Sequence, residues 1–262
     1  MNNMKTFLHS FRSEWLKTRH TAASWLVIIG GFFMPVIFTL IQIIKPNSFS
    51  TLVFGAEFWN VILVRAWEFT SILLMPFGVI LATSLIAQIE FKNNAWKQVC
   101  TTPQSMTTIF SAKLMVIVMM LAQFFVYFNL GLWLSPYVAA FFNHSLPLPD
   151  TILPPMKYAA DAWAFFITYL PIVALQYLVS LRFGNFLISI GTGLGLVIMS
   201  IFLFKWEYGY TVPYTYNLYH FLIMSGQGAG PKDVNIYALS FIFFFALSSI
   251  ALISFIFKKQ RG

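Results

Sequence analysis

Long apolar stretches alternate with short polar ones along this chain. Six of the stretches hold roughly 20 residues with almost no charge, and a helix of that length spans a bilayer because each residue advances about 1.5 Å. The pattern predicts an all-α membrane protein built as a single transmembrane domain over residues 1–262. The predicted spans are residues 24–44, 69–89, 114–135, 162–181, 185–204 and 236–257.

The composition excludes several other classes of protein. Hydrophobic residues make up 59% of the chain and charged residues 9%, whereas soluble domains carry about 25% charged residues. So few charges cannot cover a soluble surface of this size, and lipid must solvate part of it. The net charge of +8 therefore fits basic loops beside a membrane better than a nucleic-acid surface. The single cysteine, Cys100, excludes an internal disulfide and a cysteine-based metal site.

The distribution of lysine and arginine predicts the orientation of the spans. If both termini lie in the cytoplasm, 11 of these cations lie inside and 5 outside, with net loop charges of +9 and −1. Cytoplasmic loops carry the excess of basic residues in membrane proteins. We therefore expect a multi-pass membrane protein with both termini in the cytoplasm.

The segment before the first span has the pattern of an amphipathic helix. Apolar side chains recur there at helical spacing, at Met4, Phe7, Leu8, Phe11 and Trp15. Cations flank this stripe, at Lys5, Arg12, Lys17 and Arg19. Such a helix lies in the membrane interface, with its cations near anionic headgroups. It is either a simple anchor or an elbow that also frames a docking surface for a partner.

A polar, basic segment between the second and third spans is the only sizeable cytoplasmic loop. Its first part, residues 90–101, can extend the second span as a short helix, which Pro103 then ends. This helix would present Lys92, Asn93, Trp96, Lys97 and Gln98 to the cytoplasm. The loop is either an ordinary basic loop or a docking surface. Trp96 favours docking, because tryptophan is enriched among the residues that anchor partners.

The outer connections and the span interiors predict further features. Residues 45–68 can hold a short interfacial helix, and the prolines within residues 136–161 favour an extended loop. The aromatic residues of 59–67 and 206–221 either form a belt at the headgroups or contact an amphipathic substrate. Kinks are predicted at Pro35, Pro76 and Pro171. Hydrogen bonds between helices are predicted for Gln42, Gln88, Gln123, Asn129 and Gln176.

No residue pattern supports catalysis in this chain. The four histidines are scattered without metal-ligand spacing, and neither a phosphate-binding G-x-x-x-x-G-K-[ST] loop nor a G-x-S-x-G elbow occurs. The run Gly191, Gly193, Gly195 lies within a span with no strand before it, so helix packing or a hinge explains it better than nucleotide binding. We expect a protein that is not an enzyme and that binds no cofactor or metal.

These features together resemble a known family. Ser13-Glu14-Trp15-Leu16-Lys17 precedes six spans, and Glu90, Trp96-Lys97, Pro103 and Lys113 mark the cytoplasmic loop. The order is similar to that of the membrane subunit of type-2 ABC exporters, and most similar to permeases of lantibiotic immunity and bacitracin-type resistance. The resemblance covers essentially the whole chain, although its specific part is confined to the two short motifs.

The resemblance implies a permease that works with separate ATPase subunits, which bind the ATP, and with a second permease, either the same chain or a related one. It assigns ATPase coupling to Glu90, Lys92, Asn93, Trp96, Lys97 and Gln98. It assigns a docking elbow to Glu14, Trp15, Lys17 and Arg19. The expected substrate is an amphipathic peptide, an antibiotic or a lipid-like molecule.

Two other functions stay open at this stage. A secondary transporter usually shows internal repeats and ionisable groups within its spans, and this chain shows neither. A membrane scaffold or sensor without transport is the other alternative.

Overall fold

The computed structural model describes residues 2–45, 58–92, 104–144, 146, 148, 155–228, 230–231 and 234–260. Every regular element within these ranges is helical. The α-helices of the described ranges are α1 (Asn2–Thr18), α2 (Ala22–Ile44), α3 (Phe58–Phe69), α4 (Met75–Lys92), α5 (Met106–Phe142), α6 (Pro155–Phe183), α7 (Phe186–Leu203), α8 (Tyr216–Ser225) and α9 (Ile236–Gln260).

Six helices of the described chain are long and apolar enough to cross a membrane, which confirms the predicted all-α membrane fold. The second of them runs from Phe58 to Ile89, because a π-helical turn, Thr70–Leu74, joins α3 to α4 without a break. The candidate spans are Ala22–Ile44, Phe58–Ile89, Met106–Phe142, Met156–Phe183, Phe186–Leu203 and Ile236–Phe257.

The outer connections before the second span and after the third have different outcomes. The first is described only from Phe58, which already belongs to the spanning helix, and the predicted interfacial helix falls otherwise in residues 46–57, outside the described residues. Trp59 and Trp67 are buried against the bundle, which explains why the helix starts so early. The predicted extended loop is shorter, because α5 continues through the buried Pro136 and α6 begins at Pro155.

The helices pack around α5 and α6. Helix α2 lies along α5, α9 lies along α6, and α4 contacts α2, α6 and α7. Trp67 lies at the centre of the core, stacked on Phe165 and edge-on to Phe128. About 72% of the α6 span is buried within the chain, but only 22% of α7 and 11% of α9. Most of α7 and α9 therefore faces lipid or another subunit.

The aromatic segment between α7 and α9 folds back into the bundle. It forms two 3₁₀ turns, Gly209–Thr211 and Pro213–Thr215, followed by α8, which contacts α6. Its aromatic side chains are buried at Tyr214, Tyr216, Tyr219 and Phe221, whereas Trp206 and Tyr208 are half exposed. The buried side chains contact protein rather than the headgroup layer, because this segment packs between the helices.

Candidate functional site

The residues predicted for ATPase coupling lie at the edge of the described structure. Glu90 and Lys92 belong to the last turn of α4, and Asn93, Trp96, Lys97 and Gln98 lie outside the described residues, as does Pro103. The end of α4 is held against the tight turn between α6 and α7. The Gln88 side-chain amide donates a hydrogen bond to the Gly184 carbonyl oxygen at 3.0 Å.

The predicted elbow residues have different environments. Glu14 is 6% exposed and therefore belongs to the interior rather than to the surface of α1. Trp15 is half-buried and stacks on Phe11, with ring centroids 6.1 Å apart. Lys17 and Arg19 are exposed. Only the last two present charge to a partner or to headgroups.

Glu14 lies between two lysines. Its Oε2 accepts a hydrogen bond from Lys113 Nζ at 2.6 Å, and its Oε1 accepts one from Lys17 Nζ at 2.5 Å. The Lys113 side chain is 2% exposed and the Glu14 side chain 8%. Burial alone would raise the pKa of Glu14, but the two ammonium groups outweigh that effect and hold it below its ordinary value.

A second polar contact joins α1 to the beginning of α5. Ser10 is buried, and its hydroxyl donates to Gln104 Oε1 at 2.8 Å. Ser105 caps α5, because its hydroxyl oxygen accepts a hydrogen bond from the Thr108 main-chain nitrogen at 3.2 Å. Helix α1 therefore rests on a capped helix terminus directly after the proposed coupling segment.

The connection from α1 to α2 is a compact elbow around the Thr18 carbonyl oxygen. Thr21 Oγ1 donates to this oxygen at 2.6 Å and Ser24 Oγ at 2.5 Å. His20 adopts a left-handed backbone conformation with φ of 64°, which histidine adopts more readily than most residues. These bonds replace the helical ones that α1 loses at its end, and they fix the direction in which α2 leaves.

A buried polar cluster lies where α4, α6 and α7 meet. Gln176 Nε2 donates to the Ser189 carbonyl oxygen at 2.7 Å, and Ser189 Oγ lies 2.8 Å from Ser84 Oγ and 2.6 Å from Ser180 Oγ. The hydroxyl of Tyr214 reaches Gln176 Oε1 at 3.3 Å. The cluster joins three spans and the folded-back segment, so its groups serve one another and are not held open for a ligand.

The amide side chains predicted to link helices have mixed outcomes. Gln88 and Gln176 do so, which confirms the prediction for them. Asn129 instead donates to the Phe125 carbonyl oxygen of its own helix at 2.6 Å. Gln42 Nε2 is buried and has no hydrogen-bond partner among the described residues.

Sequence reasoning missed the pairing of Glu14 with Lys113, although a signal for it exists. Lys113 lies in an apolar run of α5, and a lysine that is buried needs a carboxylate partner. Two acids, Glu14 and Glu90, account for the expected inside net charge of +9 from 11 cations, so they are the candidates on the same side as Lys113. The elbow motif predicts an exposed Glu14, whereas the buried Lys113 pairs with this carboxylate in the interior.

An apolar groove about 680 Å³ in volume lies between α5 and α6. Its polar groups are Asn129 and Tyr158, and the rest of its lining is apolar, with Trp133 and Trp163 among the exposed aromatic residues. No group of three or more His, Cys, Asp or Glu side chains able to hold a metal occurs within the described ranges. The lining of the groove is therefore suited to apolar molecules.

Comparison with known proteins identifies one family. Residues 10–203 match the family model described as ABC-2 family transporter protein, which covers about three quarters of the chain. The match runs from the middle of α1 to the end of α7 and includes both candidate cytoplasmic elements. No curated protein and no solved structure gives a significant match.

Proposed function

The chain belongs to the ABC-2 family of transporter proteins, and we propose that it serves as the permease of an exporter driven by a separate ATPase. The family match, with six candidate spans, is the observation that carries this proposal. An ABC permease works with an ABC ATPase subunit. ATP then binds in that partner, and this chain needs no cofactor of its own.

The proposed coupling element is the segment that leaves the membrane after α4 and returns at α5. Its proposed contact residues are Glu90, Lys92, Asn93, Trp96, Lys97 and Gln98. Both ends of this segment rest on fixed structure, since Gln88 holds α4 to Gly184 and Ser105 caps α5. Because the segment is held at both ends, its displacement by a partner would move both α4 and α5. Trp15, Lys17 and Arg19 would add an elbow contact beside it.

A second permease, either another copy or a related chain, is proposed to contact α7. Gly191 and Gly195 lie on the exposed side of this helix, and a Cβ at either position would meet no other atom within 4 Å. Small residues spaced in this way let two spans approach closely. The low burial of α7 within one chain is consistent with such a contact.

The proposed substrate is an amphipathic peptide, an antibiotic or a lipid-like molecule, as in lantibiotic immunity and bacitracin-type permeases. The groove between α5 and α6 supports an apolar substrate class, because its aromatic walls are open and its polar groups are few. The proposed orientation, with both termini in the cytoplasm, rests on the loop charges. Export as the direction of transport, and a bacterial cytoplasmic membrane as the location, are proposed from the resemblance to type-2 ABC exporters.

The test is a pull-down of the tagged chain from its native membrane, followed by mass spectrometry and an ATPase assay. We expect an ABC ATPase in stoichiometric amount, and we expect Trp96→Ala with Lys97→Glu to abolish its recovery. Lys205→Glu with Trp206→Ala is the matched control, because this adjacent pair lies beyond α7, on the side of the bundle away from α1. Equal ATPase recovery with both pairs of substitutions would contradict the coupling assignment. Recovery of the chain alone would favour a secondary transporter or a sensor.

A further inference from the structure

A buried ion pair between Glu14 and Lys113 attaches helix α1 to α5. Lys113 is almost completely buried, yet its ammonium group reaches across to a carboxylate on a different helix. Taking two charges out of water is costly, and an apolar pair of similar size often stabilises a protein equally well. The pair therefore gives something that simple packing does not, namely a directional link between two particular helices.

Other hydrogen bonds hold α1 in place before and after the ion pair of Glu14 with Lys113. Ser10 joins α1 to Gln104, at the point where the chain returns from the proposed coupling segment. The Glu14–Lys113 pair joins the same two helices further along. The elbow at Thr18 then fixes α1 to α2. A rigid path thus leads from the first turns of α5 through α1 to the first span.

We propose that Glu14 and Lys113 are positioning residues of the transport cycle. They make α1, the elbow and the first turns of α5 move as one body, so that a displacement arriving from the coupling segment reaches α2. Glu14 then acts inside the permease and does not touch the ATPase. The inference rests on the proposed function for the source of the movement. The ion pair of Glu14 with Lys113, which we call the clamp, is a property of this chain alone.

The clamp requires both charges, because each resides in a poorly hydrated place. Removing either one breaks a buried ion pair, and such a variant fails to fold as readily as it fails to move. The informative variant is therefore Glu14→Met with Lys113→Met, which keeps the volume and the burial and removes the bond between the two helices, together with the bond of Glu14 to Lys17 within α1. Arg65→Met with Glu68→Met is the matched control. That ion pair is exposed and lies on another helix, α3.

The first measurement uses the full chain in lipid nanodiscs, with Cys100→Ser and spin labels at Ser13 and Ser111. Both label sites are exposed, one on α1 and one on the beginning of α5. We expect a narrow distance distribution in the parent chain and in the control, and a broad distribution in the double-methionine variant. An equally narrow distribution in that variant would overturn the clamp. This outcome is independent of whether any ATPase binds.

The second measurement adds the copurified ATPase with ATP and vanadate, and follows a label at Ile44 on the far end of α2. We expect the nucleotide-dependent shift of this label to be lost in the double-methionine variant, while ATP hydrolysis and complex recovery stay at the level of the control. A purely structural role would lower stability and leave the shift intact, which would overturn the inference. Failure of the parent chain to bind an ATPase would contradict the proposed function and leave the first measurement to decide the clamp.

Discussion

Asn217 donates a hydrogen bond from its side-chain amide to the main-chain carbonyl oxygen of Ser71, 2.5 Å away. This oxygen is available to side-chain donors because the π-helical turn changes the main-chain hydrogen bonds of the span. The Met75 nitrogen bonds to the Thr70 carbonyl oxygen, and Pro76, the next residue, has no N–H to offer. Tyr169 donates to the same oxygen at 3.0 Å. The π-helical turn and the proline that follows it thus leave this carbonyl oxygen available as the attachment point for α8.

The first prediction follows from this relationship. Asn217→Ala removes a buried bond between helices, which in membrane proteins costs about 0.6 to 2 kcal/mol. In a Pro76→Ala background the Ser71 carbonyl regains a main-chain donor, so the same Asn217→Ala substitution should cost less. Thermal unfolding of the four variants in a double-mutant cycle measures the difference. Equal costs in the two backgrounds would show that Pro76 does not free the Ser71 oxygen.

The second prediction contrasts Gly193 and Gly195 of α7, which have different surroundings. A Cβ at Gly193 would lie 2.8 Å from Gln176 Oε1 and 2.8 Å from Ile80 Cγ1, so Gly193→Ala should force α7 away from α4 and α6. We expect a loss of about 1 to 3 kcal/mol, typical of overpacking. Gly195→Ala meets open space and should leave the stability of a single chain unchanged. Chemical unfolding of both variants checks this contrast. A reduced yield of the dimer with Gly195→Ala alone would support the second-permease contact.

The third prediction concerns the aromatic core. Trp67 is fully buried and stacks on Phe165 with centroids 4.0 Å apart and planes 9° from parallel. Trp67→Ala should cost about 3 to 5 kcal/mol through the cavity it leaves. Trp67→Phe should cost much less, because the indole Nε1 has no hydrogen-bond partner among the described residues. Trp163→Ala, at an exposed position, is the control for thermal unfolding in detergent. A small loss with Trp67→Ala would contradict its central role.

The sequence predicts the six spans because lipid imposes both their length and their apolar character. The same constraint explains where prediction failed. Apolar side chains are favourable both in lipid and in a membrane-protein core, so hydropathy does not separate Trp206, which is exposed, from Tyr214, which is buried. The folding back of that segment depends on partners such as Gln176, far away in sequence.

The candidate site was predicted only in part. Spacing places Glu14 on α1, but spacing alone does not tell whether the carboxylate faces outward. Its direction is set by Lys113, a residue 99 positions away that itself needs a counter-charge. The contacts of Trp96 and Lys97 with an ATPase remain predictions, since both residues lie outside the described ranges.

The last prediction is a dependence of stability on pH. His220 is 3% exposed, and its Nε2 donates to the Asp161 carbonyl oxygen while its Nδ1 accepts from the Tyr237 hydroxyl. Burial lowers the pKa of His220 from 6.5 to about 4, despite the opposing effect of the hydrogen bond to Asp161. Between these values the unfolded chain binds a proton that the folded chain does not.

Stability should therefore fall as the pH drops from 6.5 to about 4, by at most about 3 kcal/mol, and lose no more from this group below that range. His220→Gln keeps a donor and an acceptor without titrating, and should remove this part of the slope. His9→Gln, at an exposed position on α1, is the control. Thermal unfolding across this pH range checks the prediction, and an unchanged slope in His220→Gln would assign the acid sensitivity to another group.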